Sequence, residues 1–337
     1  MNYEGKKILI IGGTGTLGQH LTRYLLRDNP RVIRILSRDE YKQYEMQQTF
    51  AEYDQQLRFL VGDVRDGQRL NRAMEDIDYV FHLAAMKHVP FCEYNPFEAV
   101  QTNIIGTQNM IQAAIQNGVK KVLFTSTDKA IAPTNTYGAS KLMAERLISA
   151  AQYQKGPKQT VFSSVRFGNV MGSRGSVIPL FCKQIQEKRM VTVTDLNMTR
   201  YMMTMTQAVT LMLKANELSQ GGEVFVLKMP TILLSDLVDV VIEEVCQKYG
   251  IRDEIQIKEI GLRPGEKRYE ELMTEEEKLI AWELPEMFII PSVFTDKEEP
   301  ALYPDAVKMV NREVNSHSEK PIDRETLRRW IMEERLI

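Results

Sequence analysis

Cysteine is scarce: the 337 residues contain three, Cys92, Cys182 and Cys246, far apart and without a Cys-x-x-Cys pair. A disulfide framework and a cysteine-based zinc site are excluded, and a reducing compartment is expected. Histidine is almost as thin, with four in the chain. His82 and His88 have no ligand-type neighbours and read as structural or surface residues, so no metal is expected. An excess of either charge is also missing. Lys and Arg number 43 against 45 Asp and Glu, and no basic tract of five or more residues occurs, which removes a nucleic-acid footprint. No apolar run approaches the ~18 residues needed to cross a bilayer, and the opening residues lead into a strand without a signal-peptide core. Fixed-period repeats and low-complexity segments are absent, and the acidic run Glu275-Glu276-Glu277 reads as a solvated helix face. These absences predict a soluble cytoplasmic protein with no membrane or nucleic-acid partner.

What the chain does have is alternation of strand and helix. Lys7-Ile8-Leu9-Ile10-Ile11 is a continuous apolar run that breaks into Gly12-Gly13-Thr14-Gly15-Thr16-Leu17-Gly18, after which Leu21, Tyr24, Leu25 and Leu26 take helical spacing. Glycines at 12, 15 and 18 let the backbone approach a pyrophosphate and aim a helix N-terminus at it. A second strand, Arg31-Val32-Ile33-Arg34-Ile35-Leu36, completes a βαβ unit. Its end offers Ser37 and Arg38 where an NAD-selective site usually offers an acid, which favours the 2'-phosphate of NADP over NAD. Lys42 is a further cation for that phosphate, and Asp39 is placed to cap the next helix. The strand Leu57-Arg58-Phe59-Leu60-Val61 leads to Asp63 and Val64, with Asp63 expected to accept from an adenine amino group. Tyr79-Val80-Phe81-His82-Leu83 leads to Ala84 and Ala85, small enough for a cofactor to lie close to the sheet. The pattern predicts an α/β fold: a doubly wound parallel Rossmann sheet over residues 1–168. Residues 169–337 are expected to form mainly a smaller α/β substrate domain. A helix over 202–218 and a strand at 224–227 are expected to pack back on the first domain.

The strand Lys120-Lys121-Val122-Leu123-Phe124 ends in Thr125-Ser126-Thr127-Asp128-Lys129-Ala130, and Tyr137-Gly138-Ala139-Ser140-Lys141 opens the helix that follows. Tyr137 and Lys141 are one helical turn apart, about 6 Å along the axis, so they share a face. A tyrosine is a poor base at neutral pH unless a nearby positive charge favours its phenolate, and Lys141 supplies one. Next to a nicotinamide this pair implies hydride transfer at a carbinol. Asp128 and Lys129 add an acid and a base that a bare hydride transfer does not need. They suit an elimination, in which a lysine removes the acidic hydrogen beside a new ketone and a carboxylic acid protonates a departing hydroxyl.

The glycine turn with Tyr137-x-x-x-Lys141 resembles an extended short-chain dehydrogenase/reductase. More narrowly, Ser126-Thr127-Asp128-Lys129-Ala130, the run Phe167-Gly168-Asn169 through Val177-Ile178-Pro179, Met198-Thr199-Arg200 and Gly261-Leu262-Arg263-Pro264-Gly265-Glu266-Lys267 resemble the soluble UDP-N-acetylglucosamine 4,6-dehydratases. The resemblance implies Tyr137 as base for oxidation at C4, Lys141 as its partner and ribose ligand, Lys129 as C5 base, Asp128 as acid toward the C6 hydroxyl, and Thr127 holding the sugar. The nucleotide and diphosphate positions fall on Lys87, Asn169, Ser176, Val177, Thr194, Met198, Arg200, Arg263 and Glu266. Arg200 and Arg263 suit the diphosphate as bidentate donors and Glu266 the ribose. The resemblance also implies a homo-oligomer. The C5-inverting type is favoured, with the C5-retaining type, a nucleotide-sugar 4-epimerase and a non-catalytic NADP-binding regulator as alternatives.

Overall fold

The first apolar runs of the sequence become six strands: β1 (Lys7–Ile11), β2 (Val32–Ser37), β3 (Leu57–Val61), β4 (Tyr79–His82), β5 (Lys121–Thr125) and β6 (Val161–Arg166). The computed structural model describes residues 2–262, 265–294, 303–310 and 313–337. These six strands are parallel, in the order β3-β2-β1-β4-β5-β6, and the strand Val224–Leu227 joins parallel beside β6. Helices cover both faces, which is why β1 reads as Lys-Ile-Leu-Ile-Ile with no polar alternation: Ile8, Leu9, Ile10 and Ile11 are all fully buried. Each such side chain contributes about 1.5–3 kcal/mol by leaving water. Leu9, Leu36, Val80, Val122, Phe124 and Phe162 from the strands form one core with Met110, Ile111, Ala144 and Ile148 from the helices.

The chain forms two compact units. The first comprises Met1–Phe167, Val209–Lys228 and Met273–Asn311; the second comprises Gly168–Ala208, Met229–Leu272 and Arg312–Ile337. In the first unit, Met287–Ile290 pairs antiparallel with Val224–Leu227, followed by Trp282–Glu283 and Val307–Lys308, so the sheet has ten strands among the described residues. The second unit has a sheet of Thr231–Leu233, Thr199–Met203 and Asn169–Val170, and a parallel pair, Met190–Val193 with Gln256–Glu259. Its core is built from Phe181, Ile185, Leu237, Val241, Val245, Leu327 and Ile331.

Two sequence expectations need correction. Met202 and Met203 end a strand, and the helix starts at Met205. Thr204 decides this, because its hydroxyl accepts from Gln207 N at 3.1 Å while Gln207 Oε1 accepts from Thr204 N at 2.9 Å. The acidic run is solvated at Glu275 and Glu276 but not at Glu277, which is buried and reaches back within its own capping box.

Candidate active site

β1 ends in a turn that leaves no room for side chains. Gly12 has φ +84°, and a Cβ there would sit 2.8 Å from Ala84 N; one on Gly18 would sit 2.5 Å from Gly13 O. The helix Thr16–Leu26 begins at Gly15 with no side-chain cap and no acidic residue in its first turn. Its leading N–H groups, at Thr16, Leu17 and Gly18, form a cradle that fits a dinucleotide pyrophosphate. Thr14 is buried beside it, its carbonyl accepting from Gln19 Nε2 at 3.1 Å. Ala84, half-buried past β4 like its neighbour Ala85, supplies the close neighbouring backbone.

At the end of β2, Asp39 caps the helix Glu40–Thr49 by accepting from Lys42 N, and its carboxylate also pairs with Lys42 Nζ at 2.7 Å. Ser37 accepts from Gln43 Nε2, and Arg38 is 58% exposed with Nη1 3.7 Å from Asp63. Asp63, expected to face an adenine, is engaged by Arg65: Nε and Nη2 donate to Oδ2 at 3.0 and 2.8 Å, and the Arg65 N–H donates to Oδ1 at 2.9 Å. Partial burial works against its charge, yet these bonds and the Arg38 charge hold the Asp63 carboxyl below the usual range. Arg65 was not singled out by sequence; its one signal was the Asp-x-Arg spacing of an Asx turn. Val64 turns its side chain into the core, where a Cβ on Gly106 would meet it at 2.6 Å.

The end of β5 is fixed by backbone bonds to β6 and just beyond: Ser126 N donates to Val165 O at 2.7 Å and Asp128 N to Phe167 O at 3.2 Å. Thr127 caps the single turn Asp128–Ala130, and its Oγ1 donates to Asp128 Oδ1 at 2.8 Å. Lys129 Nζ lies 3.2 Å from both Asp128 oxygens; Asp128 is 1% and Lys129 33% exposed at the side chain. Asn135 starts the helix Thr136–Gln154 by accepting from Gly138 N at 2.8 Å. That helix docks so closely on the turn that a Cβ at Gly138 would meet Lys129 O at 2.1 Å. Burial raises the Tyr137 phenol above its ordinary value, while the Lys129 charge and a hydrogen bond with Thr127 oppose the rise. Lys141 donates to Thr125 O at 2.5 Å and sits 3.9 Å from the centre of the Phe124 ring. Burial brings Lys141 down to about 7, against the pull of Glu145. The cation with the largest influence on the phenol in this structure is therefore Lys129, where the sequence pointed to Lys141.

His82 lies fully buried near this strand end, with Nε2 3.2 Å from Thr107 Oγ1 and Nδ1 unpartnered among the described residues. Burial, then the Lys141 charge, pushes it down to about 3. The unfolded chain takes up a proton below about 6.5, so stability from a neutral His82 is full above that pH and is lost as pH falls toward 3. Thermal unfolding between pH 7 and 4 should therefore be less pH-dependent in His82→Gln than in the wild type; parallel slopes would rule this out.

Of the expected nucleotide ligands, Lys87 is exposed in the first unit, Arg263 lies outside the described residues, and the rest belong to the second unit. Ser176 precedes the helix Val177–Lys188, which has no side-chain cap and no acid in its first turn, and Ser176 Oγ is buried without a partner among the described residues. Such an N-terminus suits an anion. Thr194 O accepts from Gly261 N at 3.1 Å, and Met198 is buried with its sulfur 3.2 Å from Arg200 Nη2. Arg200 departs from the open fork expected for a diphosphate. Nη1 donates to Thr199 O and Arg268 O at 2.9 and 2.8 Å, and Nη2 to Lys267 O and Glu266 Oε1 at 2.9 and 3.2 Å, so the guanidinium fastens residues 266–268. Asn169 Nδ2 donates to both oxygens of Glu270 at 2.9 and 3.0 Å, and Tyr201 N donates to the same carboxylate. Glu270 was missed by sequence, where its one signal was its place four residues after Glu266.

Residues 8–292 match the family described as polysaccharide biosynthesis protein. The chain belongs to this family. One relative, the inverting UDP-N-acetylglucosamine 4,6-dehydratase of Campylobacter jejuni, is 43% identical over 300 residues, 88% of this chain and 86% of that protein. Another, the UDP-glucose 4-epimerase of Rickettsia felis, is 39% identical over 336 residues, 98% of this chain and 96% of that protein. The solved structure of Pen from Bacillus thuringiensis is 54% identical, superposes with a TM-score of 0.92 and covers 99% of both chains. This member of the polysaccharide biosynthesis family is thus an extended short-chain dehydrogenase/reductase of the nucleotide-sugar dehydratase and epimerase type. Among its described residues no group of three or more His, Cys, Asp or Glu is arranged to hold a metal, and no helix is long and apolar enough to cross a membrane.

Proposed function

We propose that the protein is an NADP-dependent UDP-N-acetylglucosamine 4,6-dehydratase that inverts C5, yielding a 4-keto-6-deoxy sugar nucleotide. The observation that carries this reading is the Asp128–Lys129 pair at 3.2 Å, beside Thr127 and Tyr137. Moving one proton across that pair turns an ammonium and a carboxylate into an amine and a carboxylic acid without changing the net charge. The products are the base and the acid that an elimination requires, and a 4-epimerase needs neither. A nicotinamide held at the glycine turn would supply the acceptor and later the donor of the hydride that leaves C4 and arrives at C6. Tyr137 takes the C4 hydroxyl proton, Lys129 the C5 proton, and Asp128 protonates the C6 hydroxyl as it leaves. Re-protonation at C5 closes the balance, with loss of one water.

Incubation of the purified protein with UDP-N-acetylglucosamine should give a product lighter by one water, with ring couplings in heavy water reporting the inverted C5 and deuterium at that carbon. Failure to form any keto product with NADP supplied would sink the reading. The epimerase alternative, favoured by the Rickettsia relative, predicts a product of unchanged mass. A regulator would bind the nucleotide sugar without converting it, which the presence of both Tyr137 and Lys141 argues against. The same reading has the enzyme working as a cytoplasmic homo-oligomer, in line with the scarcity of cysteine and the absence of a membrane-crossing helix among the described residues.

Cofactor preference follows Ser37 and Arg38. Arg38→Asp should weaken NADP more than NAD by about 1.5–3 kcal/mol, the loss of a charge-assisted bond to the 2'-phosphate. Titration of both cofactors checks this, and equal losses would place Arg38 away from the phosphate.

A further inference from the structure

We propose that Glu270 is a positioning residue that holds the Asn169 amide with its carbonyl oxygen, Oδ1, toward the substrate, and that this oxygen accepts from a hydroxyl or N–H of the nucleotide sugar and does not serve the diphosphate. The inference rests on the nucleotide-sugar reading above and adds which chemical group is read at Asn169. Every residue it uses lies in the second unit. Asn169 opens the strand Asn169–Val170, which passes through the turn at 171–176 into the helix Val177–Lys188, whose N-terminus suits an anion. Its side chain is half-buried, with one end of the amide fixed by the protein.

Donor counting carries the argument. An asparagine amide has two N–H groups and one carbonyl. Nδ2 donates to Tyr201 O at 3.0 Å and to Glu270 Oε1 and Oε2 at 2.9 and 3.0 Å, which occupies both N–H groups. Turning the amide over would set Oδ1 against these same three oxygen acceptors, so the surroundings allow one orientation. No donor reaches Oδ1 among the described residues, and that oxygen is what remains for a ligand. Glu270 is itself held. Its side chain is buried, Oε2 accepts from Tyr201 N at 2.9 Å, and Arg200 Nε stands 3.7 Å from Oε1 as countercharge. Its backbone exchanges two hydrogen bonds with Ser316, Glu270 N donating to Oγ and Glu270 O accepting from Ser316 N, both at 2.9 Å. A carboxylate anchored at so many points fixes the amide in turn. The oxygens of a diphosphate at neutral pH accept and do not donate, so a carbonyl aimed at them repels. Sugar and ribose hydroxyls, the acetamido N–H and the uracil N–H can each donate to it.

The test reads binding, in the full chain loaded with NADP and carrying Tyr137→Phe so that substrate stays unconverted. Calorimetric titration with UDP-N-acetylglucosamine should show about tenfold weaker binding when Glu270→Gln is added, the worth of one hydrogen bond to a charged group. Asn169→Asp should lose at least as much, because two carboxylates then face each other. Asn169→Asp together with Glu270→Gln exchanges donor and acceptor at unchanged net charge and still turns an oxygen to the ligand. This exchanged pair should return to within about threefold of the parent, a coupling that independent sites do not show. Losses shared by UDP assign the donor to the uridine, and losses confined to the whole nucleotide sugar assign it to the sugar; both support the proposal. Unaltered binding in Glu270→Gln, an exchanged pair no better than either single variant, or an equal loss of inorganic pyrophosphate overturns it. If a variant does not fold, ¹⁵N NMR of the wild type decides: both Asn169 side-chain protons, assigned with Asn169→Ala, should exchange slowly with solvent and keep their shifts when pyrophosphate is added. Fast exchange, or a large shift of either, overturns the proposal. A wild type that binds the nucleotide sugar without forming a keto product refutes the proposed function and leaves the exchanged pair to decide on Glu270. One that binds no nucleotide sugar overturns both.

Discussion

Lys129→Met should still oxidise UDP-N-acetylglucosamine at C4 in a single turnover, seen as absorbance of the reduced nicotinamide, yet neither exchange the C5 hydrogen with heavy water nor lose water. Lys129 is the member of the Asp128–Lys129 pair that reaches solvent, so its amine is the one able to meet a substrate carbon. Removing it should slow dehydration by at least roughly 10²–10⁴-fold, the usual worth of acid and base catalysis. Asp128→Asn should permit oxidation and C5 exchange while slowing departure of the C6 hydroxyl by a similar factor. Tyr137→Phe should block every step, because without the ketone the C5 hydrogen is not acidic. A purely structural ion pair predicts the opposite pattern, with Lys129→Met and Asp128→Asn losing stability together while folded protein turns over normally. Full C5 exchange in Lys129→Met would remove Lys129 as the base and leave Tyr137 or Lys87 as the next candidate.

The second large effect concerns stability. Arg166→Met should cost roughly 3–5 kcal/mol at neutral pH, because it removes the guanidinium that the buried carboxylates of Glu145 and Glu277 share. That is a large part of the 5–15 kcal/mol that holds an ordinary domain together. In the wild type, burial opposes the Glu277 charge, but the Arg166 bonds and charge win and hold its carboxyl below the ordinary value. Its contribution is therefore present above the unfolded carboxyl range and lost as pH falls through the lowered folded value. In the variant the two carboxylates can take up protons on acidification, so the gap to wild type should narrow from pH 7.5 to pH 5.5. Urea unfolding at both values tests this. A gap below about 1 kcal/mol, or one that does not change with pH, would show that the triad contributes little.

The strands at the centre of the parallel sheet were legible because burial on both faces leaves a continuous apolar run, as in Lys7–Ile11 and Lys121–Thr125. The glycine turn was legible because close backbone approach admits no substitute for Gly12 and Gly18. The return of the chain to the large sheet after Met273 left little sign beyond the apolar run Met287–Ile290. Trp282–Glu283 and Val307–Lys308 are two residues each, too short for a period, and the helix Glu275–Ile280 opens with three acids that look solvated. Nothing in the run singles out Glu277, since its partner Arg166 is distant in sequence. At the candidate site, residue types were readable and pairings were not. Lys141 shares a helix face with Tyr137, yet its ammonium turns to Thr125 O, a choice set by strand geometry and by burial rather than by spacing.

Assembling one sheet from three stretches of chain also sets an order of events during synthesis. β1 to β6 leave the ribosome first with β6 as an open edge, and that edge is covered when Val224–Leu227 arrives with the whole stretch from 168 to 208 already looped out. Glu277 comes later still, 111 residues after Arg166, so the nascent core holds a guanidinium with half its partners. Closing loops of this length before their contacts form makes the last step slow, and the unfinished edge is open to pairing with other chains in the meantime.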